Sequence, residues 1–229
     1  MSELFSIQLQ NRQQQGRDGV WLDLPTTTEQ VQAALRQIGI SSDNPQGLFI
    51  SGYFAEEEKR FAIPYNMVLA SNVDELNFLA SRLETLSTGE RAELNAALQA
   101  PQSELFSIGR ITDFPENVDY YVHLPDVRGP AQLGDYYLNR SGMVDMPEEW
   151  KGGIDTAQFG RYVAQQEQGV FTEYGYLVKS GDAWQKVHEG QPVPEEYRVL
   201  SFPAPEVLRD AANIPPPVQP ETEPQKVIP

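Results

Sequence analysis

Carboxylates are the one abundant class of side chain in this sequence that could do chemistry. The 229 residues include 33 Asp and Glu against 17 Lys and Arg, which gives a formal net charge of -16 at pH 7. Carboxylates can work in pairs as general acid and base, bind hard cations, or present negative charge to a basic partner. With so many acids, the sequence alone gives no reason to select any one pair as catalytic.

Other reactive groups are scarce or lack the spacing that their chemistry requires. The chain has no cysteine, which excludes disulfides and thiolate metal ligands. Its two histidines, His123 and His188, stand outside histidine metal motifs, and no phosphate-binding loop, GxSxG turn or calcium loop occurs. We therefore predict no catalytic residue, no metal site and no cofactor. An enzyme remains an alternative only if folding brings acids together in a cleft.

The positions of the acids are more informative than their number. From residue 74 to residue 126, ten acids are accompanied by only three bases, Arg82, Arg91 and Arg110. These acids do not form one block but are spaced along elements that also carry apolar stripes, so a fold would hold them at set positions. We predict that they form an acidic surface together with four acids that follow. The predicted acidic surface comprises Asp74, Glu75, Glu84, Glu90, Glu93, Glu104, Asp113, Glu116, Asp119, Asp126, Asp135, Asp145, Glu148 and Glu149.

Negative charge of this kind repels nucleic acids and anionic membranes and attracts basic proteins, over a Debye length of about 8 Å at physiological salt. We therefore expect no direct binding to nucleic acid or to a membrane. No apolar run is long enough to span a bilayer, and the alternating polarity around Glu3 is not that of a signal peptide. The expected location is the cytoplasm of a host bacterial cell. A general role of acidity in solubility is the simpler alternative.

Two helices joined by a short turn are predicted to carry the centre of the acidic surface. The first begins after Ser71, with Asp74 three residues on as a variant capping box, and the second begins at Thr88. Both have apolar residues at helical spacing, and Pro101 ends the second helix. The residues of the two apolar stripes are Leu76, Leu79, Ala80, Leu83 and Leu86, then Leu94, Ala97 and Leu98.

On either side of this centre the sequence repeats itself. Residues 2–7 read SELFSI and recur letter for letter as residues 103–108, and residues 19–25 correspond to residues 119–125 about a hundred positions later. A helix candidate follows each, at 29–38 and at 131–140. We interpret this as a duplicated module of a β-hairpin and a helix. The alternative is that two unrelated strands share β-forming residues.

The predicted fold class is α+β: an elongated chain of two small antiparallel-sheet-plus-helix modules flanking a helical middle domain, with a C-terminal extension. The predicted boundaries are 1–64, 65–102, 103–179, 180–212 (an added hairpin and helix) and 213–229 (a Pro-rich disordered tail). Strands are predicted at 4–9, 19–24, 47–54, 105–111, 119–124 and 169–178, and in the added hairpin at 184–187 and 197–202. Further helices are predicted after the caps Thr26 (with Glu29) and Asp155, and at 206–212.

Several segments in order resemble a known family between about Leu4 and Val178. They are residues 19–25, 38–40, 74–79, 93–98, 135–138, 154–161 and 169–171. Together they resemble the ArdA-type antirestriction proteins of conjugative elements and phages. The stretch with Ile154, Asp155, Ala157, Phe159, Gly160 and Arg161 resembles the antirestriction motif of that family, and Tyr162 follows where the family often has an acid.

The resemblance implies a DNA mimic. It implies an elongated three-domain chain that dimerises through its last domain, as members of the family do. It also implies that surface carboxylates imitate the phosphates of bent B-form DNA. For this chain the resemblance implies a type I restriction-modification enzyme as partner, bound in its DNA groove, and a homodimer formed through the second α/β module. The alternative is an acidic interaction protein that binds another basic, DNA-binding host protein.

Overall fold

The computed structural model describes residues 3–14, 18–41, 47–56, 61–101 and 103–200. These residues combine helices with two small three-stranded antiparallel sheets, which confirms the predicted α+β class. The larger apolar core draws on both sheets and on the helices between them, from Leu4 to Val199. The elongated arrangement and the domain boundaries remain predictions, and the predicted helix at 206–212 and tail at 213–229 lie outside the described residues. No helix within the described ranges is both long and apolar enough to span a bilayer.

The first sheet has the strand order β2-β1-β3, with both pairings antiparallel. Its strands are β1 (Phe5–Asn11), β2 (Val20–Leu24) and β3 (Leu48–Phe54). Alternation along β1 buries Phe5, Ile7 and Leu9 on one face and turns the residues between them to the other. The predicted strands 4–9, 19–24 and 47–54 are therefore confirmed, with small shifts of their ends.

Helix α1 (Thr28–Gln37) contributes buried residues to the same core as β1. Its capping box joins Thr27 and Gln30, one residue later than the predicted pair of Thr26 and Glu29. Thr26 is buried, and its backbone N–H donates to Oδ1 of Asn77 at 2.7 Å. A tertiary contact thus holds Thr26, and the next threonine caps the helix.

The helical centre has the predicted pair of helices, and one short helix precedes them. Its helices are α2 (Tyr65–Leu69), α3 (Val73–Glu84) and α4 (Thr88–Gln99). Both long helices begin with a full capping box, Asn72 with Glu75 in α3 and Ser87 with Glu90 in α4, each one position away from the predicted cap. The predicted stripe of α3 is buried along its length, as helical periodicity requires.

The second sheet has the order β4-β6-β5, again antiparallel throughout. Its strands are β4 (Tyr121–Leu124), β5 (Val170–Thr172) and β6 (Gly175–Lys179). The prediction of one continuous strand at 169–178 is wrong. Gly175, with φ of 131°, closes a turn through Glu173 and Tyr174, and this turn makes the segment a hairpin.

The second copy of SELFSI does not form a strand, so the predicted strand at 105–111 is wrong. Ser107 instead caps a short helix, α5 (Ile108–Thr112), accepting the backbone N–H of Arg110 at 3.3 Å. In the first copy the alternation continues into β1, whereas after the second copy Ile108, Ile111 and Thr112 recur at helical spacing and are buried. The identical letters therefore take the structure that the following residues favour, and the second copy does not repeat the strand of the first.

Three helices follow β4 and precede the hairpin. They are α6 (Pro130–Asp135), which continues as a π-helical turn (Tyr136–Arg140), α7 (Glu148–Lys151) and α8 (Thr156–Glu167). The predicted cap Asp155 is confirmed, since its side chain accepts the backbone N–H of Gln158 at 3.0 Å. Helices α6 and α8 pack on a second, smaller core with the hairpin, around Leu133, Ala164 and Tyr176.

Residues 180–200, here called the C-terminal segment, have no strand in their structure, so the predicted hairpin strand at 184–187 is wrong. The segment lies against α3 and α5 and is held by side chains instead of a ladder of backbone hydrogen bonds. Asn117 accepts the backbone N–H of Gln185 at 2.7 Å and donates to its carbonyl at 3.0 Å, and Asn77 donates to the carbonyl of Tyr197 at 3.0 Å. The ring of Phe78 contacts the rings of His188 and Tyr197. Ser201 and Phe202, at the end of the predicted second strand, lie outside the described residues.

Candidate acidic surface

Two of the predicted surface acids hold the C-terminal segment in place. Asp113 is fully buried, and its carboxylate accepts the consecutive backbone N–H groups of Val187, His188 and Glu189 at 3.2, 2.6 and 3.2 Å. Asp74 is half-buried, and its Oδ1 accepts the backbone N–H groups of residues 199 and 200, both at 2.8 Å. Asp113 was wrongly predicted to be on the surface, because a carboxylate with no exposed area cannot meet a partner.

Two further acids are fixed at the beginnings of helices. Glu75 accepts the backbone N–H of Asn72 at 3.2 Å, and Glu90 accepts that of Ser87 at 2.7 Å. The hydrogen bonds with Ser87 lower the pKa of Glu90, so this side chain stays ionised at neutral pH. Both carboxylates are half-exposed, and the capping boxes set their positions.

Four predicted surface acids have a basic partner. Glu104 contacts Arg110 at 2.8 Å and Lys179 at 2.9 Å, and the hydrogen bond from Lys179 is the main cause that lowers the Glu104 pKa. Arg110 is itself buried and also pairs with Glu189. The other three pairs are Glu116 with Arg82, Asp135 with Arg140 at 2.6 Å and Glu148 with Lys151 at 2.6 Å. These contacts offset part of the negative charge that the sequence predicts.

Four acids keep the exposure that the prediction requires. Asp119, Asp126, Asp145 and Glu149 are exposed, and within the described ranges none of them forms an ion pair. Asp119 and Asp126 flank β4, whereas the other two lie in and beside α7. Glu84, near the end of α3, is half-buried.

Glu93 differs from all the others because it holds its proton. Burial, and then the nearby charges of Glu90 and Asp119, raise its pKa to about 8. Its Oε1 is buried without a hydrogen-bond partner in the described part of the chain. At neutral pH this side chain is mostly uncharged, so it adds little to the negative charge of the surface.

The motif-like stretch at 154–161 forms the beginning of α8 and has a structural explanation. Asp155 caps the helix, and Gly160 lies against α6 so closely that a Cβ there would stand 1.8 Å from the carbonyl oxygen of Pro130. Gly134 makes the reciprocal contact from α6, where a Cβ would stand 1.9 Å from the carbonyl oxygen of Thr156. The two glycines therefore let the helix backbones touch. The remaining members divide between half-buried positions (Ile154, Ala157, Phe159) and an exposed one (Arg161).

Another carboxylate, Glu167 at the end of α8, was missed by sequence reasoning. It accepts hydrogen bonds from the hydroxyl of Tyr176 at 2.9 Å and from that of Tyr137. Burial first, and then the contact with Glu167, raise the pKa of both tyrosines. Glu167 joins α8, β6 and the π-helical turn, so its role is in the second core.

The acids of the described residues are dispersed over many elements and do not converge on one point. No group of three or more His, Asp or Glu within the described ranges could hold a metal ion. Most of the acids meet backbone N–H groups, bases or solvent, which fits stabilisation and charge presentation better than paired acid and base catalysis.

Comparison with known families gives one finding. A family model described as "Antirestriction protein (ArdA)" matches residues 15–178, which is more than two thirds of the chain. The match includes both sheets in large part and the helical centre, and it ends before the C-terminal segment. No curated protein matches the chain.

Proposed function

This chain belongs to the ArdA family of antirestriction proteins, which act on restriction-modification enzymes, and we propose that it inhibits a type I enzyme as a mimic of DNA. In this proposal the acidic surface, without the buried Asp113, occupies the DNA-binding groove of the enzyme. The protein itself binds neither nucleic acid nor membrane. It acts in the cytoplasm of a bacterial host, as a homodimer joined through the second module.

The observation that carries the proposal is the set of exposed carboxylates on fixed elements. Asp119, Asp126, Asp145 and Glu149 are exposed and have no basic partner among the described residues, and Glu75 and Glu90 are held by capping boxes. The chain as a whole has an excess of sixteen acids over bases (33 minus 17). A surface of this sign attracts a protein that binds DNA through Lys and Arg.

Elementary geometry sets a requirement for the mimicry. Duplex DNA carries one charge per roughly 1.7 Å of axis, whereas acids one turn apart on a helix place one charge per roughly 5 Å, so acids from several elements must combine to approach the charge density of DNA. Folding positions these charges before binding, so that little further ordering is needed when the enzyme binds.

Exposed apolar side chains support a homodimer through the second module. Met143, Trp150 and Tyr162 are 76%, 68% and 60% exposed, and all three lie between residues 103 and 179. Large apolar side chains in contact with water are a common feature of interfaces. A sedimentation measurement that found only monomers at micromolar concentration would contradict this part of the proposal.

The decisive experiment is competition with DNA for a purified type I restriction-modification enzyme. A variant with Asp119→Asn, Asp126→Asn, Asp145→Asn and Glu149→Gln should displace labelled DNA roughly tenfold less well than the wild type, if each charge contributes a few tenths of a kcal/mol. The matched control neutralises four exposed acids outside the acidic surface: Asp18, Glu29, Glu195 and Glu196.

Two outcomes would count against the mimic. If the wild type binds the enzyme without displacing DNA, the groove is not its site, and an acidic protein that binds a basic partner elsewhere becomes the better description. If both quadruple variants lose the same amount of inhibition, net charge alone explains the effect and the acidic surface has no special role.

A further inference from the structure

The outer face of the first sheet carries two large aromatic side chains in contact with solvent. Trp21 on β2 is 50% exposed and Phe54 on β3 is 57% exposed. Their rings meet edge to face, with centroids 6.4 Å apart and planes inclined by 73°. None of the roles assigned above to the acidic surface uses this face.

The register of the sheet explains how the two rings meet across the central strand. Ser6 of β1 lies between Asp23 and Phe54, and Gln8 lies between Trp21 and Gly52. A Cβ at position 52 would stand 3.0 Å from the outer edge of the Trp21 indole. The glycine therefore gives the indole room to reach over β1 towards β3.

Carboxylates surround one end of this aromatic pair. A shallow hollow of about 230 Å³ is lined by Phe54 together with the side chains of Glu3, Asp23 and Glu56. Asp23 accepts the hydroxyl of Ser6 at 2.6 Å, and neither Glu3 nor Asp23 has an ion pair among the described residues. The hollow thus combines aromatic surface with negative charge, and the described residues that line it include no basic side chain.

This combination matches one side chain chemically. The guanidinium group of arginine is planar, stacks on aromatic rings and donates paired hydrogen bonds to carboxylates, whereas the lysine ammonium is a compact, strongly hydrated charge. The sheet already shows such a contact at its other end, where the guanidinium of Arg12 lies 5.3 Å from the ring centroid of Phe49.

We propose that the outer face of the first sheet, with Trp21, Phe54, Asp23 and Glu3, is a docking surface for arginine side chains of the restriction-modification enzyme. The inference rests on the proposed function, because it names a second contact with the same enzyme. An arginine that would contact DNA in the enzyme stacks on the aromatic pair and pairs with the carboxylates of Asp23 and Glu3. The face thereby adds a preference for arginine over lysine, which net charge alone does not provide.

The test uses the full chain and the same DNA-displacement measurement. Asp23→Asn with Glu3→Gln should weaken displacement roughly three- to tenfold relative to Asp18→Asn with Glu29→Gln, which removes the same charge from exposed positions outside this face. Phe54→Ser should also weaken displacement, and Phe54→Tyr, which keeps the ring, should restore it. Far-UV circular dichroism and thermal melting confirm that each variant is folded.

A second arm tests the choice of arginine directly. An arginine-rich peptide added to the wild-type protein should shift the amide NMR signals of β2 and β3, and a lysine-rich peptide of equal length should shift them less. This inference is overturned if both peptides cause equal shifts. It is also overturned if the wild type competes with DNA and the double variant of Asp23 and Glu3 displaces DNA as well as the control double variant does. Either result leaves the proposed function standing. A wild type that does not compete with DNA overturns the proposed function, and this inference with it.

Discussion

Asp113 and Glu93 carry the same functional group in opposite surroundings. Three backbone N–H groups meet the buried carboxylate of Asp113, whereas one oxygen of Glu93 is buried with no donor among the described residues. Asp113 fixes the C-terminal segment, whereas burial and nearby negative charges raise the pKa of Glu93 to about 8, so Glu93 keeps its proton at neutral pH. The position of an acid in the fold therefore decides whether it adds negative charge to the surface.

Replacing Asp113 with alanine should destabilise the protein. Three buried N–H groups of the C-terminal segment would lose their acceptor, and a loss of roughly 3 kcal/mol in unfolding free energy follows from the desolvation of unpaired donors. Asp126→Ala removes an exposed acid and should change stability by less than about 0.5 kcal/mol. Urea denaturation of both variants measures the difference, and equal midpoints would contradict the structural role of Asp113.

Glu93 should make stability depend on pH. The unfolded chain loses this proton near the ordinary pKa of 4.5, whereas the folded chain holds it up to about 8. Between these values the folded state binds more protons, so the contribution of Glu93 is fully present below pH 4.5 and is lost as pH rises through 8.

Glu93→Gln should therefore flatten the decline in stability between pH 4.5 and about pH 8, because glutamine has no proton to lose. Thermal melting across this range gives the comparison with the wild type. The same variant should inhibit the enzyme normally at pH 7, where the wild-type side chain is already mostly uncharged. A pH profile that is unchanged by the substitution would mean that Glu93 ionises at an ordinary pH.

Among the elements, helices α6 and α8 show the tightest packing constraint. Each presents one glycine to the backbone of the other, Gly134 to Thr156 and Gly160 to Pro130. Any side chain at these positions would have to displace main-chain atoms, which move less readily than a flexible side chain. The Gly in the antirestriction-like stretch is thus explained by the helix crossing.

Gly160→Ala should cost about 3 kcal/mol of stability, because the added methyl group would overlap the carbonyl oxygen of Pro130. Gly89→Ala is the matched control, since Gly89 also lies inside a helix, α4, with no atom within 4 Å of the added Cβ. This control should raise stability by about 0.5–1 kcal/mol through helix propensity. Thermal melts of the two variants should move in opposite directions, and a shared direction would contradict the close crossing.

Elements with a long regular period were predicted from the sequence, whereas the short ones were predicted only in part: strand β2 was predicted and helix α5 was not. Helices α3 and α4 and strand β1 each repeat their period several times. The predicted caps of the two helices were one position off, but the helices themselves were still predicted. The prediction for the second copy, residues 103–108, was wrong because different patterns follow the same six residues. Alternating apolar residues follow the first copy, whereas apolar residues at helical spacing follow the second. The prediction of one strand at 169–178 was wrong because Gly175, with a positive φ, allows a turn that divides the segment into two strands.

At the scale of the whole molecule, the acidic surface is less charged than the sequence predicts. Exposed positions such as Asp119 and Glu149 were predictable from the density of acids, but the burial of Asp113 was not. It depends on donors contributed by a segment 74 to 76 positions later in the chain, a separation at which sequence patterns carry no signal. The ion pair of Arg82 with Glu116 likewise joins residues far apart in the sequence, so the sequence pattern carries no signal for it.

The inhibition of a restriction-modification enzyme should weaken as salt rises. Charges at the protein surface are screened, and a surface that replaces phosphates should lose affinity steeply between about 50 mM and 200 mM salt. The quadruple variant of Asp119, Asp126, Asp145 and Glu149 should show a shallower dependence than its charge-matched control. Titration of the displacement measurement at several salt concentrations gives both slopes, and identical slopes would contradict a dedicated acidic surface.

The carboxylate of Asp113 also has a consequence for synthesis on the ribosome. The chain is made from its amino end, and residues 187–189, the donors to this carboxylate, emerge 74 to 76 positions after it. Until they leave the exit tunnel, the side chain of Asp113 in the nascent polypeptide lacks its native donors. The C-terminal segment can therefore dock on Asp113 only after residues 187–189 have left the ribosome.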